Sequence, residues 1–127
     1  MPDLTMNILV VDDFSTMRRI IRNILKQMGF SNILEAEDGK AALDVLKKEK
    51  IGLIISDWNM PQMTGLDLLK AVRASVEWKD LHFLMITAEG QKDNVIEAVK
   101  YKVSNYIVKP FMPETLVEKL TKILDGK

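Results

Sequence analysis

Short β-branched runs alternate with stretches of helical period along the whole chain. Ile8 to Val11 forms a first strand, after which Met17, Ile20, Ile21, Ile24, Leu25 and Met28 recur at the spacing of one helix face. Gly29 suits the left-handed residue just past that helix, Ile33 to Ala36 forms a second strand, and Asp38 is placed to cap a helix running through Ala42, Val45 and Leu46. Leu53 to Ser56 is a third strand, Leu66, Leu69 and Val72 the stripe of a third helix, and Phe83 to Thr87 a fourth strand. Val95, Ile96 and Val99 mark a fourth helix and Asn105 to Val108 a fifth strand. Pro113 fits the first turn of a last helix carrying Leu116, Leu120, Ile123 and Leu124. Five such units predict a parallel sheet, because each helix must return the chain to the same end by a right-handed crossover. The fold class is therefore three-layer α/β, with five strands and five helices.

Composition narrows what such a domain does. The 127 residues suit one domain spanning 1–127 with no separate output domain, and 47% apolar residues supply an ordinary core. Eighteen basic residues balance eighteen acidic ones, and the halves before and after Met60 carry −1 and +1, so no basic half invites nucleic acid or a membrane surface. The absence of Cys excludes disulfides, thiol nucleophiles and zinc-thiolate sites; the single His82, expected at the surface, cannot build a two-His metal centre. The glycines are too dispersed for a dinucleotide fingerprint or a P-loop. The opening MPDLTMN has no signal-peptide character and no apolar run is long enough to span a bilayer, which points to the cytoplasm.

Carboxylates, hydroxyls and amines remain as the reactive groups, and they gather where open parallel sheets bind ligands, beyond the carboxyl ends of the strands. Strand one ends in Asp12-Asp13, strand three in Asp57, strand four in Thr87 and strand five in Lys109-Pro110, whereas the Glu35-Ala36-Glu37 end of strand two offers no comparable set. Singly, each has an ordinary role, as a helix cap or a surface charge; together they do not. Three carboxylates within about 5 Å would repel by roughly 10 kcal/mol in all at an effective dielectric of ~20, so a cation is required. Oxygen-only ligands specify a hard ion, and Mg²⁺ suits few carboxylates plus water. The chemistry that follows is phosphoryl transfer onto Asp57, with Asp12 and Asp13 holding Mg²⁺ and with Thr87 and Lys109 taking phosphoryl oxygens.

The strings VVDDFSTMRRI, EAEDG, ISDWNMP, ITAEG and NYIVKPF carry a closer likeness. Over essentially its whole length the chain resembles the receiver domains of bacterial two-component response regulators, and most of all their chemotaxis members. The resemblance implies a doubly wound, flavodoxin-like sheet of order 2-1-3-4-5. It implies Asp57 as phosphoacceptor, Asp13 and Asp57 as direct Mg²⁺ ligands with the Asn59 backbone carbonyl, and Asp12 acting through a bound water. Thr87 and Lys109 would contact the phosphoryl group, Lys109-Pro110 would be cis, Tyr106 would be the switch residue, and Asn59 with Glu89 would tune phosphoryl lifetime. Thr64, and Lys102-Val103 where many members have Gly-Ala, depart from the family pattern; Lys102 would have to enter a left-handed conformation without glycine's freedom.

The partners it implies are a chemotaxis histidine kinase as donor, the flagellar motor switch protein as target and a dedicated phosphatase, the protein acting as a monomer with no enzymatic turnover beyond its own phosphorylation and dephosphorylation. The implied docking face is helix four, strand five and helix five, with Lys92, Lys100, Lys102, Lys119 and Lys122 around Tyr106; Arg18, Arg19 and Arg22 on the first helix offer a second face or an ordinary polar one. Trp58, next to the acceptor, is expected either to report Mg²⁺ or a phosphoryl mimic through its emission or to be an ordinary half-buried aromatic. Three other readings use the same residues. A phosphorelay member would pass the phosphoryl group to a histidine; a phosphatase would need an acid two residues after its nucleophile, where Asn59 stands; a flavin binder would meet repulsion from Asp12-Asp13.

Overall fold

The computed structural model describes residues 3–88 and 92–125. The expected ten elements alternate in order: β1 Asn7–Val11, α1 Ser15–Gln27, β2 Asn32–Ala36, α2 Gly39–Lys48, β3 Leu53–Asp57, α3 Gly65–Ala74, β4 His82–Ala88, α4 Lys92–Lys100, β5 Asn105–Lys109 and α5 Pro113–Leu124. The strands form one sheet of order β2-β1-β3-β4-β5, every pair parallel.

Alternation along the strands sorts the core into two layers. Leu9, Val11, Ile54, Phe83 and Met85 face α2, α3 and α4, meeting Ala42, Leu46, Leu68, Leu69, Val72 and Ala98. Ile8, Val10, Leu53, Ile55, Leu84, Ile86 and Ile107 face the other way, meeting Ile21, Ile24 and Leu25 of α1 and Leu116, Leu120 and Ile123 of α5. The central strands are buried on both faces, which is why they read as continuous apolar runs. Among the described residues no helix is long and apolar enough to cross a membrane.

Helix ends follow local chemistry. Asp38 accepts the Ala41 N–H at 2.7 Å, as expected of a cap. At the end of α1, Gly29 has φ +106°, and the Phe30 and Gly29 amides return to the Leu25 and Lys26 carbonyls in a Schellman motif. The end of α4 repeats that motif with Lys102 at φ +60° in the glycine position, its amide on Val99 and that of Val103 on Ala98. Lys102 thus takes the left-handed conformation with a side chain in a region that favours glycine. Thr64, the other departure, caps α3: it accepts the Asp67 N–H while Asp67 accepts its own N–H.

Two stripes differ from expectation. In α3 the buried residues are Gly65, Leu68, Leu69 and Val72, with Leu66 only partly covered. In α4 the small Ala98 faces the core, so Ile96 and Val99 stand 56% and 59% exposed. Periodicity finds a stripe but does not say whether protein or solvent covers it.

Candidate functional site

Register brings the acidic residues together. Val11 pairs with Ser56, so the next residue of each chain segment, Asp12 and Asp57, emerges side by side at the carboxyl end of the sheet. Asp12, Asp13 and Asp57 each place a carboxylate oxygen within 4.8 Å of the others. Asp12 and Asp57 are buried and Asp13 is exposed. From β5, Lys109 Nζ reaches Asp57 Oδ1 at 2.9 Å and Asp12 Oδ2 at 3.8 Å. The Lys109-Pro110 bond is cis. Thr87, buried, follows Ile86, the residue of β4 that pairs with Asp57. Trp58 is buried rather than half-buried, its amide donating to the Ile86 carbonyl at 2.8 Å, and Asn59 is exposed.

One ammonium facing three carboxylates leaves the cluster short of positive charge. Asp12 Oδ1 accepts the Phe14 N–H at 2.9 Å, but the buried Oδ2 has no hydrogen-bond partner. Burial, helped by the Asp57 and Asp13 charges and opposed by the Phe14 amide and Lys109, pushes the Asp12 carboxyl up to about 6. A buried, undonated carboxylate oxygen in an all-oxygen group fits a hard divalent cation, and Mg²⁺ is the ion this donor set suits.

That pKa has a measurable consequence for the metal-free protein. The folded state takes up a proton below about pH 6 while the unfolded chain waits until about 3.8, so Asp12 makes the fold less stable as pH rises through this window. Urea unfolding without metal is therefore expected to show parent and Asp12→Asn converging near pH 4, with the variant more stable at pH 7 by up to about 3 kcal/mol. Equal stability at pH 7 would contradict it.

Around Tyr106 the structure assembles a mixed surface. The ring is half-buried with Lys119 Nζ 5.4 Å from its centroid, and Lys119 also donates to Asn105 Oδ1 at 3.3 Å. Lys100 and Lys122 pair with Glu97 and Glu118, both at 3.6 Å, so this face is less basic than its lysines alone suggest. Lys92 opens α4, but its side chain and the whole of Glu89 lie outside the described residues. His82 is the first residue of β4 and half-buried.

Several contributors were not apparent from the chain. Arg73 ties together the approaches to β4 and β5, donating to the Lys79 and Leu81 carbonyls and to that of Lys102. Arg18 and Arg22 both pair with Glu35 of β2 at 2.9 Å, so the end of strand two does take part in the site's surroundings. Gly65 touches the acceptor strand so closely that an added Cβ would run into the Asp57 carbonyl oxygen. Only the Thr64 cap had a local signal, the Thr-x-x-Asp spacing ahead of an apolar run.

Five parallel strands with an acidic cluster and a lysine at their carboxyl ends define a receiver-type domain, and comparison with known proteins agrees. The response regulator receiver domain profile matches residues 8–121, and the chain belongs to that family. Chemotaxis protein CheY-3 of Vibrio cholerae is 55% identical over 120 residues, covering 94% of this chain and 92% of that protein. Chemotaxis protein CheY of Pseudomonas aeruginosa is 52% identical over 120 residues, covering 94% and 97%. Among solved structures, the chemotaxis response regulator CheY4 of Vibrio cholerae superposes with a TM-score of 0.87 at 36% identity, covering 94% of this chain and 99% of that one.

Proposed function

We propose that the protein is a chemotaxis switch, phosphorylated on Asp57 and read out by docking. The observation that carries this is the buried Asp57 carboxylate, bonded to Lys109 and set among Asp12 and Asp13. A histidine kinase would supply the phosphoryl group: an Asp57 oxygen attacks phosphorus, the phosphorus–nitrogen bond breaks, and the imidazole leaves with the electron pair. Asp12, Asp13, Asp57 and the Asn59 backbone carbonyl would hold Mg²⁺, which would neutralise charge on the phosphoryl oxygens. Lys109 neutralises a further oxygen and Thr87 donates its hydroxyl to another. Water attack at phosphorus restores the carboxylate and releases phosphate, with Asn59 and Glu89 governing its access and a phosphatase speeding it. Beyond this self-phosphorylation and reset the protein turns nothing over; it works as a cytoplasmic monomer.

Output follows from the face carrying α4, β5 and α5. Ile96, Val99, Tyr101 and Val108 are exposed there, with lysines around them, a surface that suits the apolar side of a short amphipathic segment of the flagellar motor switch protein. A charge-assisted bond from Thr87 to the phosphoryl group contributes about 1.5–3 kcal/mol, while driving a switch from 1:99 to 99:1 needs about 5.5. The partner supplies the remainder by preferring the active face, with Tyr106 turning inward as Thr87 is drawn away. Titrating a motor-switch peptide with and without Mg²⁺ and beryllofluoride, a phosphoryl mimic, is expected to show binding at least about tenfold tighter with the mimic. Equal affinities would overturn the docking role.

A further inference from the structure

We infer that Arg18 is a positioning residue for the metal-binding carboxylates, holding the β1–α1 turn in the shape that presents Asp12 and Asp13. This rests on the Mg²⁺ reading of the acidic cluster and concerns a residue outside it.

The hydrogen bonds of Asp12 carry the argument. Its amide donates to the Ala36 carbonyl at 3.1 Å, its Oδ1 accepts from Phe14, and its backbone carbonyl accepts from Arg18 Nη1 at 2.6 Å. Every polar group of the residue is thereby fixed except Oδ2, the buried oxygen nearest Lys109. The Asp12 carbonyl belongs to the peptide plane that leads into Asp13, so the guanidinium fixes the orientation of the plane on which the exposed carboxylate hangs. Arg18 is itself immobilised: its Nε donates to Glu35 Oε1 at 2.9 Å, and the other oxygen of that carboxylate accepts from Arg22 Nη1 at 2.9 Å. One guanidinium thus ties together α1, the residue that follows β1 and a residue of β2. Arg18 and Glu35 are both largely covered, and pairing with Glu35 offsets the positive charge.

Arg18→Gln separates geometry from charge because the two act in opposite directions. Removing a cation near an acidic cluster strengthens its attraction for Mg²⁺, so a loss of affinity must come from the released turn. Outer partners of this kind change metal affinity by about 10- to 100-fold. Arg22→Gln is the matched control, since it breaks the same link to Glu35 without touching Asp12.

The test is a calorimetric Mg²⁺ titration of parent, Arg18→Gln, Arg18→Lys and Arg22→Gln, with urea unfolding of each and NMR exchange of the Phe14 amide in the metal-free proteins. Arg18→Gln is expected to bind Mg²⁺ at least about tenfold more weakly and to exchange the Phe14 amide faster, Arg22→Gln to match the parent within about twofold, and Arg18→Lys to recover part of the loss. Parent-like affinity in folded Arg18→Gln would overturn the inference, as would losses in both Gln variants that simply track their stability. A parent that binds no Mg²⁺ would overturn the reading beneath it, and this inference with it.

Discussion

Lys109→Met is expected to slow phosphoryl labelling of Asp57 by about 100-fold or more while tightening Mg²⁺ binding. The ammonium lies 2.9 Å from Asp57 Oδ1, within reach of an oxygen transferred onto that carboxylate, so it stabilises charge where the transition state develops it. It also pairs with both buried carboxylates, Asp57 and Asp12, and removing it raises the cluster's attraction for a metal. The opposed signs make the prediction specific. A residue that only holds β5 in place would weaken both metal binding and labelling; one that only repels metal would leave labelling unharmed. Labelling by acetyl phosphate at saturating Mg²⁺, beside a metal titration, separates these cases.

The second large effect is structural. Gly65→Ala is expected to lower unfolding free energy by about 3 kcal/mol and to disturb the acceptor, measured by urea unfolding and by Trp58 emission. A Cβ there meets the Asp57 carbonyl oxygen, the Trp58 Cα at 3.0 Å and the Met85 sulfur at 2.8 Å. Two of these are backbone atoms, and the Gly65 amide is tied to the Trp58 carbonyl at 2.8 Å, so the helix start cannot retreat without losing that bond. Gly52→Ala is the contrast: its Cβ meets chiefly the end of the Met6 side chain at 2.9 Å, which can rotate away, and a change under about 1 kcal/mol is expected.

These two residues mark the limits of what the chain shows by itself. Lys109 could be singled out because it ends a strand whose apolar run is visible in the sequence, and all ends of a parallel sheet share one side. The same logic brought out Asp12, Asp13, Asp57 and Thr87. Strand order came only through family likeness, because periodicity places elements along the chain and not beside one another. Gly65 offered no such signal, since its necessity depends on how closely α3 abuts the residues after β3. The carbonyls that accept from Arg73 and the turn held by Arg18 are backbone partners, which any residue type supplies, so composition could not mark them. The apolar pattern of α4 marked a helix without saying which side is covered: Ala98, too small to stand out, faces the core, and Ile96 and Val99 are exposed.

Asp57 as phosphoryl acceptor in a Mg²⁺-dependent reaction is tested most directly by the intact mass of the chain after incubation with acetyl phosphate. One phosphoryl group per chain is expected with Mg²⁺, none when the metal is chelated, and none in Asp57→Asn with Mg²⁺ present. Labelling of Asp57→Asn at the parent's yield, or labelling of the parent that is indifferent to chelation, would contradict the account.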